Sequence, residues 1–267
     1  MNVQSARPAT PQNTPTCIAP ATGTGAPVCG PEQKTFVLVH GGFHGGWCWR
    51  AVADILRGAG HVVYTPTQTG CGERSHLLSA AITLDTFVDD IANLLHWEDL
   101  HNVVLVGHSF GGSSISGVAD RMPERIGLLV YLDAVVLENG QSMFDLLDAE
   151  VIARRMRSAR AYGGLAIGPP PTGIFGITDA AQAQYVRERL TPHPLGTFTS
   201  ALRLAHPVAN GLPAVYVQCT EPVYAGVQSS RDWIKANGMK SIELRSGHDA
   251  MVMAPQLLAN LLLELAA

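Results

Sequence analysis

The sequence predicts an α/β domain with a mainly parallel, doubly wound sheet and a helical segment inserted over one end. Three observations carry this expectation. Apolar runs containing valine recur at 35–39, 61–66, 103–106, 126–136 and 212–219, as strands buried on both faces do, and a short strand is expected at 241–244. Stretches with helical spacing alternate with most of them, the rhythm of parallel strands joined by crossover helices. Glycines, a serine and an aspartate fall just where these runs end, and such sheets bind ligands at their strand ends.

Residues 1–33 are rich in Pro, Thr, Ala and Gly and carry almost no charge. They cannot bury enough apolar surface to offset ordering entropy, so a flexible leader is expected. Met1 to Arg7 lacks the apolar core of a signal peptide. The five cysteines are scattered, with no C-x-x-C, and read as free thiols; Cys17 and Cys29 would pair only in an exported protein. A cytoplasmic location is the default expectation. The net charge of −4 gives no reason to expect nucleic acid or an anionic membrane, and no apolar run approaches a membrane span.

The first strand runs into His40-Gly41-Gly42-Phe43-His44-Gly45-Gly46. This is neither G-x-G-x-x-G nor a P-loop. Its glycines suit an oxyanion loop, whose backbone N–H groups approach a substrate carbonyl oxygen closely. A helix follows Trp47-Cys48-Trp49-Arg50 and stops near 58–60. The next strand leads into a loop over 67–78, then a helix over 85–95 capped by Thr83 or Asp85.

Val103 to Val106 precedes Gly107-His108-Ser109-Phe110-Gly111, which matches the G-x-S-x-G nucleophile elbow. A sharp strand-to-helix turn holds the serine hydroxyl at its tip, facing the first amides of the next helix. The strand over 126–136 carries Asp133 near its end. From 138 to 207 the rhythm breaks: helical spacing at 144–157 and 179–190, a Pro- and Gly-rich stretch at 163–176 and a turn at 191–194. This is expected to be a helical cap, leaving 34–137 and 208–267 as the core. A helix over 227–237, a strand over 241–244, a loop bearing His248 and a closing helix over 255–265 complete the chain.

A serine hydroxyl needs a base. Of ten histidines, His248 is the candidate, since it follows the last strand and returns to the serine's edge of the sheet. Phe43, His44, His108 and Trp47 are expected to line the pocket; His40, His44 and His108 also read as structural residues beside the site. His193 and His206 are candidates for touching substrate. The acid that orients the base is Asp133 or Glu221, while Asp249 is too close in sequence to reach its neighbour's ring.

The stretches from Phe36 to Trp49, Gly107 to Gly112 and Gly247 to Met251 together resemble the α/β-hydrolase superfamily over residues 35–266. The branch is similar to plant methylesterases, hydroxynitrile lyases and bacterial pyrethroid-hydrolase-like esterases. Gly72 to Leu77, Trp97 to Leu100 and Tyr131 to Ala134 are more like the bacterial esterases. The resemblance implies an α/β-hydrolase fold, Ser109 as nucleophile, His248 as base, the Gly42 and Phe110 amides as oxyanion hole, and no cofactor or metal. Plant methylesterases place an acid where this chain has Pro222. Other α/β-hydrolases take it from the strand after the elbow, which favours Asp133 over Glu221.

The implied function is a serine esterase that cleaves a hydrophobic carboxylic ester through an acyl-enzyme. A lactonase with the same triad, a cofactor-free dioxygenase and a ligand-binding receptor are the alternatives. Gly41 and Asp249 stand where hydroxynitrile lyases carry Thr and Lys, which argues against cyanohydrin cleavage. The expected partner is a small-molecule ester or lactone, and a homodimer is left open.

Overall fold

The first strand, β1 (Thr35–Val39), turns Phe36 and Leu38 to one side and Val37 and Val39 to the other, and both pairs are buried. A strand can bury both faces only in a sheet covered on both sides. The protein builds that sheet, described by a computed structural model over residues 32–267. The leader and the Cys17–Cys29 pair lie almost wholly or wholly in residues 1–31, outside the described residues.

From β1 the chain passes through α1 (Arg50–Gly58), β2 (Val62–Tyr64), α2 (Leu84–Trp97), β3 (Val103–His108), α3 (Gly111–Arg121) and β4 (Ile126–Leu132). An insertion follows: α4 (Ala149–Arg160), β5 (Ala166–Ile167), α5 (Ala180–Arg187), β6 (His193–Pro194) and α6 (Leu195–Thr199). The chain then closes with β7 (Ala214–Cys219), α7 (Gln228–Ala236), β8 (Ser241–Leu244), α8 (Ala250–Met253) and α9 (Pro255–Ala266).

Six strands pair in parallel in the order β2-β1-β3-β4-β7-β8. The winding reverses between β1 and β3, and a reversal opens a crevice at the carboxyl ends of those strands. On one face Phe36, Leu38, Val104 and Val106 pack with Leu56 of α1 and Leu258 and Leu262 of α9. On the other, Val37, Val39, Leu105 and Tyr131 pack with Phe87 and Ile91 of α2 and Ile115 of α3. A Cβ on Gly117 of α3 would sit 2.5 Å from Val88 Cγ2, so glycine is what lets α2 and α3 approach. Lys34–Ala267 forms one compact unit that includes the insertion.

Three elements differ from the sequence expectation. The helix expected over 144–157 is a short 3-10 turn at Met143–Leu146 and then α4. Asp145 accepts from both the amide and the hydroxyl of Ser142, at 2.7 Å each, and this local bonding closes the first turn on its own. The turn expected at 191–194 contains β6, which pairs antiparallel with β5. Pro194 biases His193 toward extended backbone, as a strand needs. The strand expected over 126–136 ends at Leu132, because Asp133 enters left-handed backbone at φ 40°. Among the described residues no helix is long and apolar enough to cross a membrane.

Candidate active site

The β3–α3 turn forces Ser109 to φ 51°. A non-glycine residue there costs of order 1–3 kcal/mol, so surrounding contacts must hold it. They do: the Ser109 amide donates to Leu132 O at 3.1 Å, and its carbonyl accepts from Val135 N at 2.8 Å and Gly112 N at 3.1 Å. The turn is too tight for side chains on either flank. A Cβ on Gly107 would lie 2.7 Å from the Gly111 oxygen, and one on Gly111 2.8 Å from the His40 oxygen.

The Ser109 Oγ lies 2.9 Å from His248 Nε2, and His248 Nδ1 lies 2.7 Å from Asp133 Oδ2. A carboxylate only accepts, so the proton sits on Nδ1 and leaves Nε2 to accept from the serine. Asp133 is fully buried. Its second oxygen accepts from Arg231 Nη2 at 2.7 Å and from Cys219 N at 3.3 Å. The Tyr224 ring lies against His248 with centroids 3.9 Å apart. Glu221, the other candidate acid, is 62% exposed and faces Arg245 Nε at 3.5 Å. The structure therefore brings Ser109, His248 and Asp133 together and leaves Glu221 outside.

Three histidines fix the loop after β1. His40 Nδ1 donates to Gly41 O at 2.8 Å while its Nε2 accepts from Gln68 N at 3.0 Å. In a trans peptide the carbonyl and the following N–H point opposite ways, so the Gly42 N–H is turned away from His40. His44 holds the Gly42 oxygen through Nδ1 at 2.8 Å and meets Asp249 Oδ2 through Nε2 at 3.1 Å. His193 Nδ1 accepts from Phe43 N at 3.2 Å, and its Nε2 donates to Thr197 Oγ1 at 2.9 Å. Phe110 is the N-cap of α3, so its amide precedes the first intrahelical bond. Gly42 and Phe110 face each other: a Cβ on Gly42 would lie 3.9 Å from the Phe110 Cβ.

Ser109, Gly42, Phe43 and Phe110 open onto one cavity of about 890 Å³. Its walls are mostly apolar, with Met143, Leu146, Ile167, Phe175 and Phe198 among them. Most of these come from the insertion. Of the expected pocket residues, Phe43 lines this cavity and His44, His108 and Trp47 do not. His44 is tied behind the loop by both ring nitrogens. His108 Nε2 donates to the His248 carbonyl at 2.9 Å, bracing the loop that carries His248. Trp47 stacks on His44 and faces a separate shallow depression with Arg50 and Arg57.

His193 is buried and grips the loop, and His206 is exposed and bonds Asp120. Arg231 and Tyr224 were not singled out from the sequence. The signal for Arg231 was a charged residue on the buried face of an amphipathic helix, and Tyr224 carried none.

His108, His248 and Asp249 could bring ligand atoms within 4.8 Å of one another. Both His248 nitrogens are already engaged by Ser109 and Asp133, and His108 Nε2 by a carbonyl. With His248 so engaged, only His108 Nδ1 and Asp249 Oδ1 keep free lone pairs, fewer than the three or four protein ligands of a metal site. The arrangement instead suits nucleophilic attack: an oriented hydroxyl, a base, a carboxylate behind the base, and amides where an oxyanion would form.

Residues 36–261 match the Alpha/beta hydrolase family. The chain belongs to that family. The carbendazim hydrolyzing esterase of Nocardioides sp. (strain SG-4G) is 38% identical over 248 residues, covering 87% of this chain and 100% of that protein. The putative methylesterase 14, chloroplastic, of Arabidopsis thaliana is 28% identical over 251 residues, covering 87% of this chain and 72% of that protein. Among solved structures, an extracellular alpha/beta-hydrolase from a Paenibacillus species superposes with a TM-score of 0.74 at 28% identity. It covers 86% of this chain and 98% of its own, and is described as sharing structural and functional homology with Tobacco Salicylic Acid Binding Protein 2.

This alpha/beta hydrolase folds around neutral imidazoles, which gives its stability an acid limit. Burial lowers His40 to about 4 and pushes His108 and His193 well below their ordinary value, with neighbouring histidine charges adding to it. Their pKa is lower folded than unfolded, so the unfolded chain takes up protons first as pH falls below about 6.5. Their contribution is present above that pH and is lost toward the folded pKa. Burial would also lower His44, but the charge and hydrogen bond of Asp249 outweigh it and raise the pKa, so that pair holds through the same window. Urea unfolding at pH 7, 6 and 5 is expected to show stability falling by roughly 1 kcal/mol per pH unit for each of the three histidines below about 6.5. A flat profile would contradict their being buried neutral.

Proposed function

We propose that this protein is a serine hydrolase that cleaves a hydrophobic carboxylic ester through an acyl-enzyme intermediate. The observation that carries this reading is the hydrogen-bonded line Ser109–His248–Asp133, opening into an apolar cavity beside the Gly42 and Phe110 amides. The esterase and methylesterase names of its relatives support the reaction class.

The Ser109 oxygen attacks the ester carbonyl carbon while its proton passes to His248 Nε2. The carbonyl oxygen takes up the negative charge and receives hydrogen bonds from the two amides. Asp133 holds the imidazole in place and stabilises the imidazolium. Collapse of the tetrahedral species breaks the ester C–O bond, and His248 returns its proton to the departing alkoxide. Water then attacks the acyl-serine with His248 again as base, releasing the acid and restoring the Ser109 hydroxyl. The insertion over 138–207 acts as a cap, supplying apolar walls that exclude bulk water.

Rapid mixing with p-nitrophenyl butyrate tests this. A burst of p-nitrophenol equal to the enzyme concentration is expected, with a butyryl mass on the Ser109 peptide after an acid quench. Absence of hydrolysis across p-nitrophenyl acetate, butyrate and hexanoate would overturn the reading. A panel of γ- and δ-lactones run beside them would then test the lactonase alternative.

A further inference from the structure

The cavity that holds Ser109 also holds a cation without a counterion. Arg155 of α4 lines it, half-buried, on the wall contributed by the insertion. Among the described residues no carboxylate lies within ion-pairing distance of its guanidinium, and no acceptor hydrogen-bonds to it; its Nε is fully buried and unpartnered. Its packing partner is an aromatic face: Arg155 Cζ sits 4.9 Å from the Phe198 ring centroid. Phe198 in turn stacks on Phe110, centroids 5.0 Å apart and rings inclined by 21°. The charge is thus one ring away from the residue whose amide faces the proposed oxyanion.

Tyr224, in the loop after β7, lines the same cavity. Its hydroxyl has no hydrogen-bond partner among the described residues, and its ring rests on His248. Burial lowers the Arg155 guanidinium from its ordinary value and the Tyr224 oxygen offsets this; burial raises the Tyr224 phenol and the Arg155 charge offsets that. Asp148 and Arg154 also line the cavity but are exposed, where water screens them.

An uncompensated charge in an apolar wall is costly. A ligand carboxylate would remove the cost, and a guanidinium matches a carboxylate in shape as well as charge. We propose that Arg155, assisted by the Tyr224 hydroxyl, is a subsite for a carboxylate, and that the preferred substrates are esters bearing a free carboxylate, such as monoesters of dicarboxylic acids. This rests on the ester-hydrolase reading above, and it names the substrate class that such an enzyme would select.

The test compares monomethyl with dimethyl esters of glutaric, adipic and pimelic acids, followed by proton release. A pair differs only in whether the far end is a carboxylate or a neutral ester. Wild type is expected to favour at least one monoester over its diester by about 10- to 100-fold in kcat/KM, the range of a charge-assisted hydrogen bond. Arg155→Gln is expected to bring that ratio close to one, Arg155→Lys to keep part of it, and Tyr224→Phe to lower it several-fold.

A binding measurement stands apart from turnover: the dicarboxylate product that matches the best monoester should raise the melting temperature of wild type and not of Arg155→Gln. Hydrolysis of both members of every pair at equal rates, with equal stabilisation of wild type and variant by the dicarboxylate, would overturn the proposal. Hydrolysis of neither ester, with stabilisation still dependent on Arg155, would retain the carboxylate subsite and refute the hydrolase reading instead.

Discussion

Ser109→Ala is expected to lower kcat for p-nitrophenyl butyrate by at least about 10⁴-fold and on the order of 10⁶-fold, the loss seen when a triad nucleophile is removed. The size follows from position. The Ser109 oxygen faces His248 Nε2 at 2.9 Å, and among the described residues no second hydroxyl is bonded to that nitrogen. Without it, His248 could only activate water against a substrate placed for another nucleophile. The fold should not notice. Alanine at φ 51° carries no more strain than serine, and the amide and carbonyl bonds that pin the turn are backbone bonds. Thermal unfolding of the variant should therefore match wild type to within a degree or two. Activity within tenfold of wild type, from a folded variant, would remove Ser109 from the mechanism. Loss of folding in Ser109→Ala would instead be checked with Ser109→Cys, which keeps a nucleophile and a similar volume.

The parts of this molecule that could be read from the chain are those whose physics is local. The elbow is legible because its glycines are demanded by atoms a few residues away, Gly107 by the Gly111 carbonyl. The strands are legible because burial on both faces leaves an uninterrupted apolar run, as in Val103 to Val106. The loop after β1 shows its glycines, but which side chains enter the cavity depends on partners far along the chain. His44 is drawn behind the loop by Asp249, 205 residues away, and His108 by the His248 carbonyl, 140 residues away. Nothing near either residue signals this. His193 is similar: a histidine in a Pro-His-Pro stretch becomes the acceptor for the Phe43 amide only because β6 is brought beside β1's loop.

The acid was the one position where the sequence left two residues in contention. Composition and spacing treat Asp133 and Glu221 alike, because each follows a buried strand. Burial separates them. Glu221 is in solvent with Arg245 as a loose neighbour, while Asp133 is closed in by Cys219, Arg231 and His248. The backbone at Asp133, in the left-handed region at φ 40°, turns its carboxylate toward the end of the neighbouring strand β7. Its own helix marks Arg231 only as a charge on a buried face and does not show what that charge is for. Its meaning comes from the carboxylate it meets 98 residues away.

That contact makes Asp133→Asn the most informative second variant, because it should damage activity and stability through different atoms. Toward His248, an amide can present an N–H to Nδ1 and so favour the wrong tautomer, in which Nε2 carries the proton and cannot accept one from Ser109. A loss of about 10⁴-fold in kcat is expected, as for other triads so altered. Toward Arg231, the same change leaves a guanidinium buried without its counterion. That costs roughly 3–5 kcal/mol, enough to lower the urea midpoint clearly. Glu221→Gln should change neither quantity, since its side chain is 62% exposed and touches no part of the line.

The double variant Asp133→Asn with Arg231→Met then separates the two effects. Removing the orphaned charge should restore most of the stability, because an apolar side chain suits the site better than an unpaired cation. Activity should stay at the level of Asp133→Asn, because the imidazole is still in the wrong tautomer. If activity returned along with stability, the role of Asp133 would be to neutralise Arg231 rather than to orient His248, and the acid of the mechanism would have to be sought elsewhere.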